Sequence, residues 1–165
     1  MLTIVSGGQT GVDRAALDVA LELGIPYRGW CPKGGWAEDR PSPPGVLALY
    51  TALRETQDAD PRQRTEWNVR DCDRLMVLVD RAGLPVSKGT AFALACAKAL
   101  CKPHVVVDIG AGDSKDLAAD FLSQGQGALA VCIAGPRESE APGIHAKAKD
   151  FLSLLLANPI GCCGR

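Results

Sequence analysis

Leu2-Thr3-Ile4-Val5-Ser6-Gly7-Gly8-Gln9-Thr10-Gly11-Val12-Asp13-Arg14 is the stretch from which the rest of the chain is read. A short run rich in β-branched residues empties into a glycine-rich turn, and a helical pattern begins at once. A strand that turns directly into a helix leaves several backbone N–H groups converging on one spot. With the helix dipole behind them, those donors suit a phosphate or another oxyanion. Glycine in such a turn lets the backbone approach a ligand without an intervening Cβ. The expectation is a pocket for a small anion or a nucleotide-type ligand, walled by the rest of the chain.

Outward from this turn, strand and helix patterns alternate. Val12 to Leu23 reads as a helix with Ala16, Leu17, Ala20 and Leu21 on one face, stopped by Gly24 with Pro26 beyond. Tyr27 to Cys31 reads as a second strand ending in Pro32-Lys33-Gly34-Gly35. Residues 36–61 carry Pro41, Pro43, Pro44 and Gly45 and read as one long ordered loop, with a turn or two over Val46 to Ala52. Trp36, Leu47, Leu49, Tyr50 and Leu53 would pack that loop down. Asp60-Pro61 then looks like an N-cap and first helical position, opening a helix to Arg70 with Trp67 inward. Arg74 to Val79 is the clearest strand, apolar on both faces and hence central and parallel. The loop from Asp80 to Lys88 contains Gly83 and Pro85, and Gly89-Thr90 opens an apolar helix from Ala91 to Leu100. His104 to Ile109 reads as a buried strand and Asp116 to Gln124 as a helix. Ala128 to Ala134 is a fifth strand and Ile144 to Ala157 a last amphipathic helix. This order implies right-handed crossovers and one α/β domain over residues 1–165. It would be a Rossmann-like, doubly wound, mainly parallel sheet of about five or more strands. Ligands in such sheets bind outside the strand C-termini where strand order reverses. Loops 7–11, 33–35 and 89 all follow strands, so one crevice could collect them.

Composition bounds the function classes. The chain has 165 residues, 47% hydrophobic and 22% charged, with a net charge of -1. That length buries roughly 70% of the unfolded surface, enough for an unstapled core. The charge balance disfavours nucleic acid, so any anion site must be local. Seven cysteines without C-x-x-C spacing and only His104 and His145 give no classical metal set. Cys96 and Cys101 read as buried small apolar residues, and Cys162-Cys163 are adjacent in the tail. The cysteine usage suits a reducing, cytoplasmic compartment, and no run reaches the roughly 18 apolar residues of a membrane span.

Candidate ligand groups follow from residue type and place. Gln9 and Thr10 offer side-chain hydrogen bonds beside the backbone donors. Asp13 would either accept from a ribose-like or pterin-like group or serve the helix dipole, and Arg14 would either reach the anion or lie exposed. Lys33 and Lys88 are point-charge partners for phosphate. Gly89 and Thr90 repeat the helix-start device. Arg64, Thr65 and Asn68 share one helical face opposite Trp67 as a polar wall. No nucleophile–base–orienter set is visible, so catalytic and metal-ligating residues are expected to be absent.

The segments Ser6 to Asp18, Gly29 to Gly34, Ala37-Glu38-Asp39, Leu53 to Thr56, Arg64 to Asp71 and Gly89-Thr90 resemble the molybdenum carrier protein family. The match covers the first hundred residues. It implies a Rossmann-like fold, a homo-oligomer (dimer or tetramer) and binding of molybdenum cofactor, a phosphorylated pterin. The residues it carries over are Gly7, Gly8, Gln9, Thr10, Gly11, Lys33 and Thr90. The same broad superfamily includes lysine decarboxylase-like enzymes that release cytokinin bases from their nucleotides, marked by P-G-G-x-G-T-x-x-E. Here Ala93 stands where that catalytic Glu would be. Cys72 and Ala93 also depart from the carrier pattern, where Ser and a second Thr are usual. The chain is therefore expected to bind a phosphorylated pterin or nucleotide-type ligand. The alternative is a nucleotide-processing hydrolase using Glu38, Asp39 or Glu66.

Overall fold

The computed structural model describes residues 1–80, 87–124 and 127–157. Gly83, Pro85 and the Cys162-Cys163 tail lie outside the described residues. Period-two alternation along the strands sends neighbouring side chains to opposite faces, and the observed cores divide accordingly. The strands are β1 (Leu2–Val5), β2 (Tyr27–Cys31), β3 (Leu53–Glu55), β4 (Arg74–Val79), β5 (His104–Asp108) and β6 (Leu129–Ala134). The helices are α1 (Val12–Glu22), α2 (Pro61–Arg70), α3 (Lys88–Ala99), α4 (Ser114–Ser123) and α5 (Ile144–Leu156). On one face Ile4, Met76, Leu78, Val131 and Ile133 pack against α1, α4 and α5. On the other, Val5, Leu75, Val77, Val79 and Cys132 meet Val69 of α2 and Ala93, Cys96 and Ala97 of α3. Helices on both faces of one parallel sheet make the α/β doubly wound fold.

The six strands run in the order β3-β2-β1-β6-β4-β5, all neighbours parallel. The last strand in the chain is central. Ile4 registers with Val131, and Leu75 with Cys132 on the other side of β6. From β1 the chain proceeds outward to β2 and β3, then restarts beyond β6, so the strand order reverses beside β1. The loops after β1, β6 and β4 thus open onto a common crevice at the strand C-termini.

Four expectations need correction. The 36–61 stretch contains a strand: β3 adds a parallel edge to β2, with 3₁₀ turns at Lys33–Gly35 and Gly45–Ala48. Leu53 and Val46 bury with Leu17, Cys31 and Tyr50 in a third cluster, which is what holds this stretch down. The strand at 104 forms the opposite edge and is only partly covered, with Val107 fully buried and His104 exposed. Cys101 is exposed, since it follows the end of α3 at φ 52°, and Trp67 is half-buried, edge-on to Trp30 with ring centroids 4.8 Å apart. No helix among the described residues is long and apolar enough to cross a membrane.

Candidate functional site

A cavity of ≈ 410 Å³ lies between the first turns of α2 and α3. Gln9 and Asp13 come to it from the β1 loop and α1, and Ala134, Gly135, Arg137 and Glu140 from the end of β6. Asp60, Arg62, Arg64 and Thr65 line it from α2, and Ser87, Lys88, Gly89, Thr90, Phe92 and Ala93 from α3. Asp60 caps α2 by accepting from the Arg62 N–H at 2.9 Å, with Pro61 at the first helical position. Ser87 caps α3, accepting from the Thr90 N–H at 3.2 Å while its hydroxyl meets that of Thr90 at 2.8 Å. Two capped helix starts therefore face one space.

The cavity floor is charged and largely buried. Asp13 is 5% exposed, and its Oδ2 accepts from Arg64 Nη1 at 2.7 Å. Burial pushes the Asp13 carboxyl up, and the Arg64 guanidinium opposes that shift without cancelling it. Arg64 lies over Gly7, where any Cβ would overlap its guanidinium. Arg62 stacks on Phe92 at 4.9 Å and Arg137 on Trp36 at 5.8 Å. Four basic side chains, Arg62, Arg64, Lys88 and Arg137, thus share the cavity with three acids, Asp13, Asp60 and Glu140.

The structure divides the sequence candidates into groups. Gln9, Asp13, Arg64, Lys88, Gly89 and Thr90 line the cavity. Lys33 and Gly34 line a second depression of ≈ 310 Å³ with Trp36, Pro41 and Pro43, and Pro61 lines both. The expected single crevice is thus two adjoining ones, because the 3₁₀ turn of 33–35 packs on the proline loop. Arg14 is held on the far side, donating from Nε to the Gly8 carbonyl at 3.0 Å and through Nη1 and Nη2 to Asp39. Asn68 pins α2 to β2, accepting from the Trp30 N–H at 2.8 Å and donating to its carbonyl at 2.9 Å. Thr10 donates to Glu38 and accepts from the Glu138 N–H.

The glycines of the opening turn serve the protein's own packing. A Cβ on Gly8 would press on Leu53 and Val46 of the third core, and one on Gly11 would overlap the Pro136 carbonyl. Room for a ligand was the sequence reading of these positions; the space is instead filled by Arg64, apolar side chains and the 136–137 backbone.

The carboxylates nominated for chemistry stand apart from the cavity. Glu38 receives Thr10 and the Ser139 N–H and hydroxyl, Asp39 pairs with Arg14, and Glu66 is exposed on α2. Burial pushes Glu38 up, but the bonds from Ser139 and Thr10 outweigh it and hold the carboxyl below its usual range. The Arg14 bonds do the same for Asp39 against a smaller burial penalty. Their bonds to Thr10, Ser139 and Arg14 form a clasp around residues 36–40. Both groups therefore stabilise this clasp above the unfolded carboxylate range, and that stabilisation disappears as pH falls through their lowered values, below about pH 4. Hydrogen exchange at 36–40, corrected for intrinsic rate, should lose protection there while the β4 amides keep theirs. Unchanged protection of 36–40 would contradict the clasp.

Cys31 is fully buried, its Sγ donating to the Arg54 carbonyl at 3.5 Å, and burial pushes its thiol up to about 11. It is expected to resist iodoacetamide at pH 7.5 in the folded protein while exposed Cys101 reacts, as read by peptide mass mapping. Among the described residues no group of three or more His, Cys, Asp and Glu could hold a metal.

Arg62, Phe92, Arg137 and Glu140 escaped the sequence reading. The signal for Arg137 and Glu140 was the same strand-end rule applied to the last strand, whose central place only the fold reveals. Ala93, 1% exposed, lines the cavity, so the position of the hydrolase Glu falls inside it as a methyl group.

Comparison with known proteins follows the same architecture. The crystal structure of a protein from Syntrophus aciditrophicus SB, named "Putative molybdenum carrier protein", superposes with a TM-score of 0.78 and 35% sequence identity. The match covers 93% of this chain and 94% of that one. No curated protein matches the chain significantly. The model of the circularly permuted YpsA SLOG family matches residues 4–156, in keeping with a last strand that lies at the centre of the sheet. With nearly its whole length matched, this chain belongs to the circularly permuted YpsA SLOG family.

Proposed function

We infer that the chain is a binding protein for a phosphorylated, nucleotide-sized ligand, with molybdenum cofactor as the leading candidate. The observation that carries this reading is the gathering of four basic side chains and the α3 start onto one ≈ 410 Å³ cavity, in a chain of net charge -1. The Lys88 and Gly89 N–H groups have no acceptor among the described residues, and Lys88 itself lines the cavity. Such a set suits a phosphate monoester.

The residues present fit the pterin phosphate of molybdenum cofactor, and the name of the Syntrophus protein points the same way. When bound, that cofactor would bring a molybdenum–dithiolene centre. Among the described residues the cavity lining contains no cysteine, and this chain's contribution is to hold and orient the organic part. A carrier role requires no carboxylate in catalytic position, consistent with Ala93. Assembly into a homo-oligomer and a cytoplasmic location belong to the same proposal.

Calorimetry with molybdopterin and with nucleoside 5′-monophosphates, each against its unphosphorylated counterpart, tests the reading. The phosphorylated member of each pair should bind at least tenfold tighter. Lys88→Ala should cost roughly ten- to hundredfold, the worth of one charge-assisted contact. Equal binding of nucleoside and nucleotide would sink the assignment.

A further inference from the structure

We propose that the floor of the cavity recognises a 2-amino-4-oxopyrimidine edge, the edge shared by pterins and guanine, through the Gln9 amide and the Asp13 carboxylate. This rests on the cavity being the ligand site. It adds the chemistry of the ring to that of the phosphate.

Gln9 and Asp13 are 4% and 5% exposed. Gln9 Oε1 accepts from the Thr10 and Glu38 N–H groups, both at 3.0 Å. Backbone N–H groups only donate, so the amide orientation is fixed and Nε2 carries the donors. Nε2 donates to nothing among the described residues. Asp13 Oδ2 is engaged by Arg64, whereas Oδ1 receives no donor. Among the described residues, Arg64 Nε is the only side-chain N or O that is both sealed from solvent and unpartnered. Gln9 Nε2 and Asp13 Oδ1 are unpartnered but not sealed, so they open onto the cavity their residues line. Two nearly buried groups, a donor and an acceptor, stand ready at the same floor. Native proteins rarely leave such groups unsatisfied.

The pattern selects among heterocycles. The floor offers the Gln9 NH2 group as donor and two acceptors from Asp13, since Oδ2 retains a lone pair beside Arg64. A 2-amino-4-oxopyrimidine presents the complement: a carbonyl oxygen, a ring N–H and an exocyclic amino N–H. Hypoxanthine lacks the amino group and satisfies two of the three. Adenine presents an amino group and a bare ring nitrogen, leaving one oxygen of the nearly buried carboxylate without a donor. An unpaired buried acceptor is the kind of loss that separates closely similar ligands. Guanine nucleotides should therefore compete with the pterin ligand.

Calorimetry with GMP, IMP and AMP as probes reads this order directly. GMP should bind tightest, IMP next and AMP weakest, with at least about tenfold between GMP and AMP. Unphosphorylated pterin should displace GMP. Asp13→Asn exchanges an acceptor for a donor, and Gln9→Glu keeps both accepted N–H bonds while removing the donor. Each should collapse the GMP-to-AMP ratio to within about threefold. Should Asp13→Asn fail to fold, Gln9→Glu and the wild-type order still decide. Equal affinity for GMP and AMP, with binding still lost in Lys88→Ala, would overturn ring recognition and leave the phosphate reading standing. No binding of any of the three, or of inorganic pyrophosphate, would overturn both.

Discussion

Replacing Arg64 by Met is expected to cost about 3–5 kcal/mol of folding stability at pH 7. Among the described residues, its guanidinium is the only side-chain partner of the Asp13 carboxylate, which is 5% exposed on the cavity floor. Methionine keeps much of the apolar stem over Gly7 and removes the charge. A buried carboxylate then remains without a counter-ion, which is the costly half of breaking a buried pair. Against a typical total of about 5–15 kcal/mol, such a loss brings the protein close to unfolding. The pH dependence identifies the cause. Burial already raises the folded Asp13 value above its ordinary one, and loss of Arg64 removes the main opposing influence. A carboxyl raised in the folded state binds its proton more readily there than in the unfolded chain. Its contribution is therefore most favourable at acid pH and declines as pH rises through the folded value. Arg64→Met should accordingly regain stability relative to wild type as the pH is lowered from 7 towards 5. The double change Arg64→Met with Asp13→Asn should recover part of the loss at pH 7. Urea titrations across that range measure all three, and a single variant within 1 kcal/mol of wild type at pH 7 would refute the account.

Gly11→Ala is expected to be comparably damaging for a different reason. Gly11 precedes α1 at φ 79°, a region costly for any residue with a Cβ, and that Cβ would overlap the Pro136 carbonyl. Conformational strain and forced backbone separation together amount to roughly 2–6 kcal/mol. The Pro136 carbonyl cannot simply withdraw, because it accepts from the Val12 N–H at 3.2 Å at the start of α1. Gly89 provides the contrast. It has space around its missing Cβ and lies in the first turn of α3, so Gly89→Ala should be neutral or stabilise by up to about 1 kcal/mol. Thermal unfolding of the two variants side by side tests the difference. If Gly11→Ala melts within a few degrees of wild type, the β1 turn is looser than described.

The neighbours of these residues are what the sequence leaves open. The glycines of the opening turn are readable as glycines that must stay glycines, but which neighbours they make room for is not. Gly7 makes way for Arg64, fifty-seven residues on, and Gly11 for residues 136 and 137. Likewise Thr10, Arg14 and Asn68 have the chemistry of ligand groups, and each is satisfied by protein. Nothing local distinguishes an Arg14 that reaches an anion from one that clamps Asp39. β3 was missed because three residues carry too little periodicity to register, and because prolines at 41, 43 and 44 suggested irregularity throughout.

What the sequence determined by itself is the fold class and the position of one half of the candidate site. Alternating strand and helix patterns, the Asp60-Pro61 cap and the apolar run of β4 are local signals, encoded within a few residues of where they act. So is the helix start at Lys88 to Thr90. Strand order, by contrast, depends on which apolar faces fit together over the whole chain. Only the tertiary structure placed β6 between β1 and β4, bringing Arg137 and Glu140 to the cavity beside Gln9 and Asp13. Only it separated Lys33 from Lys88, and only it showed that Asp13 is buried against Arg64 while keeping one oxygen free. Burial and pairing decide what a polar side chain can offer a ligand, and both are properties of the packed molecule.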